Sequence, residues 1–143
     1  MSGHPRVIGY LQRALDHEFG AAQQFTLQAG QADVLGLPAL AAELRTAASE
    51  ELAHAGAFIA RLYTLGGTPR AGNAGAAGIG RTQQELLRHG LATEASAIRL
   101  YTEAARFCRQ IGDHVNLDVF ARILSDEEQH YQELQRRIES LGT

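Results

Sequence analysis

One set of three residues occurs twice at the same spacing, and this repeat constrains the fold more than any other feature of the chain. Glu18, Glu51 and His54 are matched 76 residues later by Glu94, Glu127 and His130. The same offset relates Leu11 to Leu87, Leu15 to Leu91, Gly36 to Gly112, Arg61 to Arg137, Leu65 to Leu141 and Gly66 to Gly142. The chain therefore reads as two copies of one unit. In each copy, Glu51-Leu52-Ala53-His54 or Glu127-Glu128-Gln129-His130 places Glu and His three apart. On a helix that spacing puts both side chains on one face, where they can grip a single ion.

Each unit reads as a helical hairpin. Val7, Leu11, Leu15, Ala22, Phe25 and Ala29 keep to one helical face after Pro5, a residue suited to a first turn. Gly36-Leu37-Pro38 breaks that helix and opens the next, which stops at Gly66-Gly67. Thr82-Gln83-Gln84-Glu85 is a capping-box pattern, Gly112 ends the third helix, and Asp113 suits the N-cap of the fourth. The predicted helices are 5–35, 38–65, 82–111 and 114–141, within a single domain 1–143. The 66–81 connection is rich in Gly and Ala and spans roughly 50 Å when extended. A helix of such length measures roughly 42 Å, so the connection can run the full height of a bundle. An all-α bundle of four helices with one long crossover between helices two and three follows.

Height along the bundle sharpens the expectation. Residues equidistant from the turn of an antiparallel hairpin lie level with one another. Glu18 and His54 are equidistant from Gly36, and Glu94 and His130 from Gly112. All six side chains are thus expected at one level, facing inward. Four carboxylates buried in an apolar core would be severely destabilising, and two divalent cations would neutralise them. Carboxylates and imidazoles are hard-to-borderline donors that suit iron, with manganese the alternative.

Composition excludes several other function classes. Apolar residues make up 45 % and charged residues 20 % of 143, which is globular rather than disordered. All 13 basic residues are Arg, and the net charge of −3 offers no basic surface for nucleic acid or an anionic membrane. The single cysteine, Cys108, excludes an intramolecular disulfide, a thiolate zinc site or an iron–sulfur cluster built by this chain alone. It is expected to be a small packed residue. No apolar run approaches a membrane span, and MSGHPRVIGY lacks the apolar core of a signal peptide, so a cytoplasmic location is expected.

The segments RVIGYLQRALDHEFGAAQQF, ASEELAHAGAFIARLYTLGGTP and ILSDEEQHYQEL, together with the six-residue motif, resemble the bacterioferritins of the ferritin-like superfamily. The resemblance covers nearly the whole chain. It implies a ferritin-like bundle acting as a ferroxidase, with Fe(II) oxidised by dioxygen or hydrogen peroxide at a di-iron centre. Glu18 and His54 would serve one iron, Glu94 and His130 the other, and Glu51 and Glu127 would bridge them. The partner expected is a second copy of the chain, at least a dimer, with a 24-subunit shell as the larger form.

The chain departs from that family at four places. Where bacterioferritins place a haem-ligating Met, this chain has Leu52, and its only methionine is Met1, so no haem is expected. The usual Tyr two turns after the first Glu is Phe25; its repeat equivalent is Tyr101, which is expected to approach the metal site from the opposite hairpin. The inner-surface His and Asp of some members are Thr46 and Glu50 here. Finally, the chain stops at Thr143, where family members continue into a fifth helix, which puts the shell and bulk iron storage in question and favours a smaller oligomer. Asp126 is a candidate hydrogen-bond partner for His54 or His130. His4, His17, His89 and His114 lack repeat partners and are expected in solvated or capping roles.

Overall fold

A computed structural model of the chain describes residues 3–72 and 78–142. Four helices account for nearly all of them: α1 (Pro5–Val34), α2 (Pro38–Thr64), α3 (Gln83–Gln110) and α4 (His114–Leu141). No strand occurs among the described residues. The boundaries fall where the punctuation placed them. Thr82 caps α3 by accepting from the Glu85 amide, and Asp113 caps α4 by accepting from that of Asn116. Glu85 does not close the expected box on Thr82 but reaches one residue further, to the amide of Arg81. His4 is the N-cap of α1, its Nδ1 accepting from the Arg6 amide. The central part of the 66–81 crossover, residues 73–77, lies outside the described residues.

Gly36 and Gly112 take positive φ of 74° and 71° at the C-terminal ends of α1 and α3. Each is followed by an amide that reaches back to close the helix end, Leu37 to the Ala32 carbonyl and Asp113 to that of Cys108. The identical turns explain why the repeat includes these glycines: a Cβ there would face left-handed strain. Gly66 shares the geometry at φ 79°, whereas its repeat equivalent Gly142 is right-handed at φ −75°. The repeat therefore holds through the hairpins and ends with the last helix.

Helix α1 packs along α2 and α3 along α4, and α1 also approaches α3, while the backbones of α2 and α4 barely approach. Two buried glutamines on α1 fasten the crossover. Gln12 exchanges two hydrogen bonds with the backbone of Arg70, and Gln28 donates to the carbonyls of Ile79 and Leu86.

The apolar core is divided. One cluster, built around Leu11, Phe58, Leu62, Tyr101 and Phe120, fills the end near Gly66. The other, built around Phe25, Leu40, Leu44, Leu86 and Leu87, fills the end near Gly36. The layer between the two clusters is polar.

Candidate metal centre

That layer is made by the six repeated residues. Glu18 comes from α1, Glu51 and His54 from α2, Glu94 from α3, and Glu127 and His130 from α4. Glu18, Glu51, Glu94 and Glu127 are at most 1 % exposed and His54 is 8 % exposed, which is exceptional burial for charged side chains. Their ligand atoms form two groups, each closed within 4.8 Å. The first joins Glu18, Glu51, His54 and Glu127, and the second joins Glu51, Glu94, Glu127 and His130. Glu51 and Glu127 belong to both groups and lie between two ion-sized positions.

The polar atoms there lack protein partners. Among the described residues, eleven buried side-chain N or O atoms have no hydrogen bond, and eight belong to these six residues. They include both oxygens of Glu51, both of Glu127, and Nδ1 of each histidine. His54 Nδ1 is 3.1 Å from Glu127 Oε1 and 3.6 Å from Glu18 Oε1, yet neither contact is aligned as a hydrogen bond. His130 Nδ1 lies 3.6 Å from Glu51 Oε1 and 3.8 Å from Glu127 Oε1. Buried polar groups are nearly always satisfied, so an orphaned set of donors this dense fits metal ligands.

Electrostatics reflect the crowding. Burial, assisted by Glu127, Glu51 and Glu18, pushes Glu94 up to about 12. Burial likewise raises Glu18 well above the carboxylate range, although His54 opposes it. At Glu51 burial is outweighed by His130, His54 and Glu18, and its carboxyl falls well below the usual range. His54 resists burial because Glu127, Glu18 and Glu51 surround it, which raises it far above an ordinary imidazole. Glu51 and neighbouring acids raise His130 to about 9 against the opposing effect of burial. Without metal, burial favours the protonated forms of Glu18 and Glu94, and the surrounding acids favour protonated His54 and His130.

The outer ring nitrogens are also engaged. Asp126 Oδ2 lies 3.0 Å from His54 Nε2, which settles which histidine it meets. Glu50 Oε2 lies 2.6 Å from His130 Nε2. Glu50 stands 76 residues before Asp126 and is its equivalent in the repeat. Tyr101 donates to Glu18 Oε1 at 2.6 Å and packs its ring among Phe58 and Phe120. Phe25 sits in the other core cluster and lines a groove of about 940 Å³ that reaches Glu94 and His130 between α2 and α4.

His17 departs from its expected solvated role. Next to Glu18 on α1, it is carried inward, its Nε2 is buried without a partner, and its ring meets the Tyr101 edge at 6.3 Å. Burial lowers its pKa despite Glu127, Glu51 and the Thr93 backbone. His89 and His114 are exposed. Cys108 is fully buried, and burial with Asp113 nearby raises its thiol to about 11. Leu52 is half exposed on α2. No helix among the described residues is long and apolar enough to cross a membrane.

Comparison with known proteins agrees with this architecture. The ferritin-like domain family matches residues 8–142. A bacterioferritin of Rhodobacter capsulatus is 34 % identical over 96 % of this chain and 86 % of its own length. A bacterioferritin of Brucella melitensis is 33 % identical over 99 % of this chain and 88 % of its own. Among solved structures, the R. capsulatus bacterioferritin superposes with a TM-score of 0.95 at 34 % identity, covering 97 % of this chain and 87 % of that one. That structure is described as having a metal-free dinuclear site and a haem iron in a crystallographic special position. With family, relatives and fold in agreement along nearly its whole length, the chain belongs to the bacterioferritins of the ferritin-like family.

Proposed function

We propose that the chain is a ferroxidase whose substrate, Fe(II), occupies two adjacent positions in the polar layer. The observation that carries this reading is the set of eight buried, orphaned ligand atoms on six residues at one level of the bundle. Glu18 and His54 would hold one iron, Glu94 and His130 the other, and Glu51 and Glu127 would bridge them. Two ferrous ions held side by side each give up one electron, which reduces dioxygen to hydrogen peroxide, or hydrogen peroxide to water. The chain's own residues bind and orient: the two shared carboxylates set the spacing, and Asp126 fixes His54 from behind. Tyr101 keeps its phenolic proton on Glu18, supplying a hydrogen-bond donor beside the first position. Leu52 offers no ligand for haem, and manganese would suit the same donor set.

Anaerobic loading of the purified chain with Fe(II), followed by crystallography with anomalous scattering, tests the site. Two iron peaks between Glu51 and Glu127 are expected, and oxygen admission should then yield Fe(III). Absence of metal beside those two residues would refute the proposal.

A second reading, oxidation of a small organic molecule, is favoured by the 940 Å³ groove. Phe25, Leu44, Leu87 and Leu134 give it apolar walls, and it ends at Glu94 and His130. Size in solution bears on these readings, since a shell of 24 chains of 15.5 kDa would elute near 370 kDa (24 × 15.5) and a small oligomer far below. Co-purification with a haem-binding homologue would instead indicate a mixed ferritin shell, in a cytoplasmic setting.

A further inference from the structure

The seam between α2 and α4 is where the two hairpins meet with the least backbone contact, and polar side chains span it. Glu43 pairs with Arg137, Glu50 with His130, His54 with Asp126, and Arg61 with Asn116. The partners descend α2 and ascend α4 in antiparallel register. Steps of seven, four and seven residues keep the α2 members on one helical face. The two middle rungs differ from the outer pair because each contains a histidine of the polar layer.

Both histidines take the same orientation. Nδ1 turns inward to the shared carboxylates, and Nε2 turns outward to an exposed carboxylate supplied by the opposite hairpin. Asp126 is hydrogen-bonded to His54 Nε2 at 3.0 Å, and Glu50 faces His130 Nε2 at 2.6 Å as an ion-pair contact that is not aligned as a hydrogen bond. Glu50 and Asp126 are themselves related by the 76-residue offset, so the arrangement obeys the internal symmetry of the fold. The Glu50 side chain is 47 % exposed and lines the groove beside His130.

We propose that Glu50 is the positioning residue of His130: its carboxylate keeps the proton on Nε2 and so commits Nδ1 to the metal position shared with Glu51, Glu94 and Glu127. The inference rests on the two-metal reading above. A neutral imidazole has one N–H, and a metal can enter only at the other nitrogen. A carboxylate held against Nε2 favours keeping hydrogen there when Nδ1 gives up its own proton to a metal, and it holds the ring plane. Glu50 touches neither metal position. It acts through the imidazole.

The test uses zinc, a redox-silent probe, on the full chain and on Glu50→Ala, Glu50→Gln and Glu43→Ala. Zinc titration by calorimetry gives the two affinities, and long-range ¹H–¹⁵N correlation on the zinc-loaded protein shows which His130 nitrogen carries hydrogen. The parent is expected to bind two zinc ions with His130 protonated at Nε2. Glu50→Ala should weaken one of the two ions by about 10- to 100-fold and broaden or switch the His130 tautomer. Glu50→Gln keeps a carbonyl acceptor without the charge, so it should retain the Nε2–H signature with a smaller loss. Glu43→Ala cuts a neighbouring rung of the same seam and should change neither readout, which separates positioning from simple bracing. Unchanged affinities and tautomer in Glu50→Ala, or zinc on Nε2 of His130 in the parent, would overturn the proposal alone. Failure of the parent to bind two zinc ions would overturn it together with the two-metal reading.

Discussion

Loading the centre with metal should be an exchange of protons for cations, with a stoichiometry set by the buried groups. In the metal-free protein, burial penalises the carboxylates of Glu18 and Glu94 and favours their protonated forms, the premise from which the proton count follows. His54 and His130 keep a proton on both ring nitrogens because acids surround them. A metal can bind each of these four residues only after one proton leaves. Two divalent ions bring four positive charges and displace four protons, so the buried layer changes its net charge by nothing. This balance explains how one cluster can be buried both empty and full.

Each ion should therefore release about two protons, and its affinity should rise about a hundredfold per pH unit between about pH 6.5 and 8. Calorimetric titration with Zn(II) in buffers of differing ionisation enthalpy reads the proton count directly from the slope of observed against buffer enthalpy. Glu94→Gln should lower the count by about one. Release of only about one proton per ion, with affinity rising about tenfold per pH unit, would mean that Glu18 and Glu94 are already ionised and only the histidines give up protons. The assignment of protons by burial would then be wrong.

Other consequences follow from the same groups. The metal-free protein should lose stability as pH rises from 6.5 to about 9, because folded His130 holds its proton up to about 9 whereas the unfolded residue releases it near 6.5. Denaturation midpoints in urea, measured at those two pH values after chelation, check the sign. Tyr101→Phe keeps the ring contacts with Phe58 and Phe120 but leaves Glu18 Oε1 without its donor, costing about 1–3 kcal/mol in the metal-free protein. It should also slow ferrous oxidation in stopped-flow absorbance, and unchanged rates and metal-site spectra would remove Tyr101 from the chemistry. Phe58→Ala opens the larger apolar cluster and should cost about 3–5 kcal/mol by chemical denaturation. Cys108 should resist thiol reagents at pH 8 in the folded protein and react once denaturant exposes it.

The sequence revealed those parts of the fold that depend on local chemistry and on internal symmetry. Helix ends were legible because Pro5, Pro38, Thr82, Asp113, Gly36 and Gly112 act through their own backbone or through a side chain within three residues. The six central residues were legible because the repeat put them at one height and helical spacing put Glu and His on one face. What stayed hidden depends on how the two hairpins are set against each other. His17 was read as solvated because nothing local distinguishes it from His89. Only the packing of α1 against α3 brings its ring to Tyr101. The burial of Gln12 and Gln28 likewise depends on the crossover, whose carbonyls they bond.

The Phe25–Tyr101 exchange goes one step further, because it breaks the symmetry that made the rest readable. In a perfect repeat both ends of the polar layer would meet the same ring. Here the Glu18 end receives a phenol at 2.6 Å inside a closed aromatic cluster, and the Glu94 end faces Phe25 and an open groove. Glu18 has a protein donor on one oxygen, whereas Glu94 has an orphaned oxygen and a route to solvent beside it. Two positions with equal ligand sets are thereby given unequal surroundings. The groove touches His54 and Asp126 as well as Glu94 and His130, so what separates the two halves is the Tyr101 phenol, which only the Glu18 end receives.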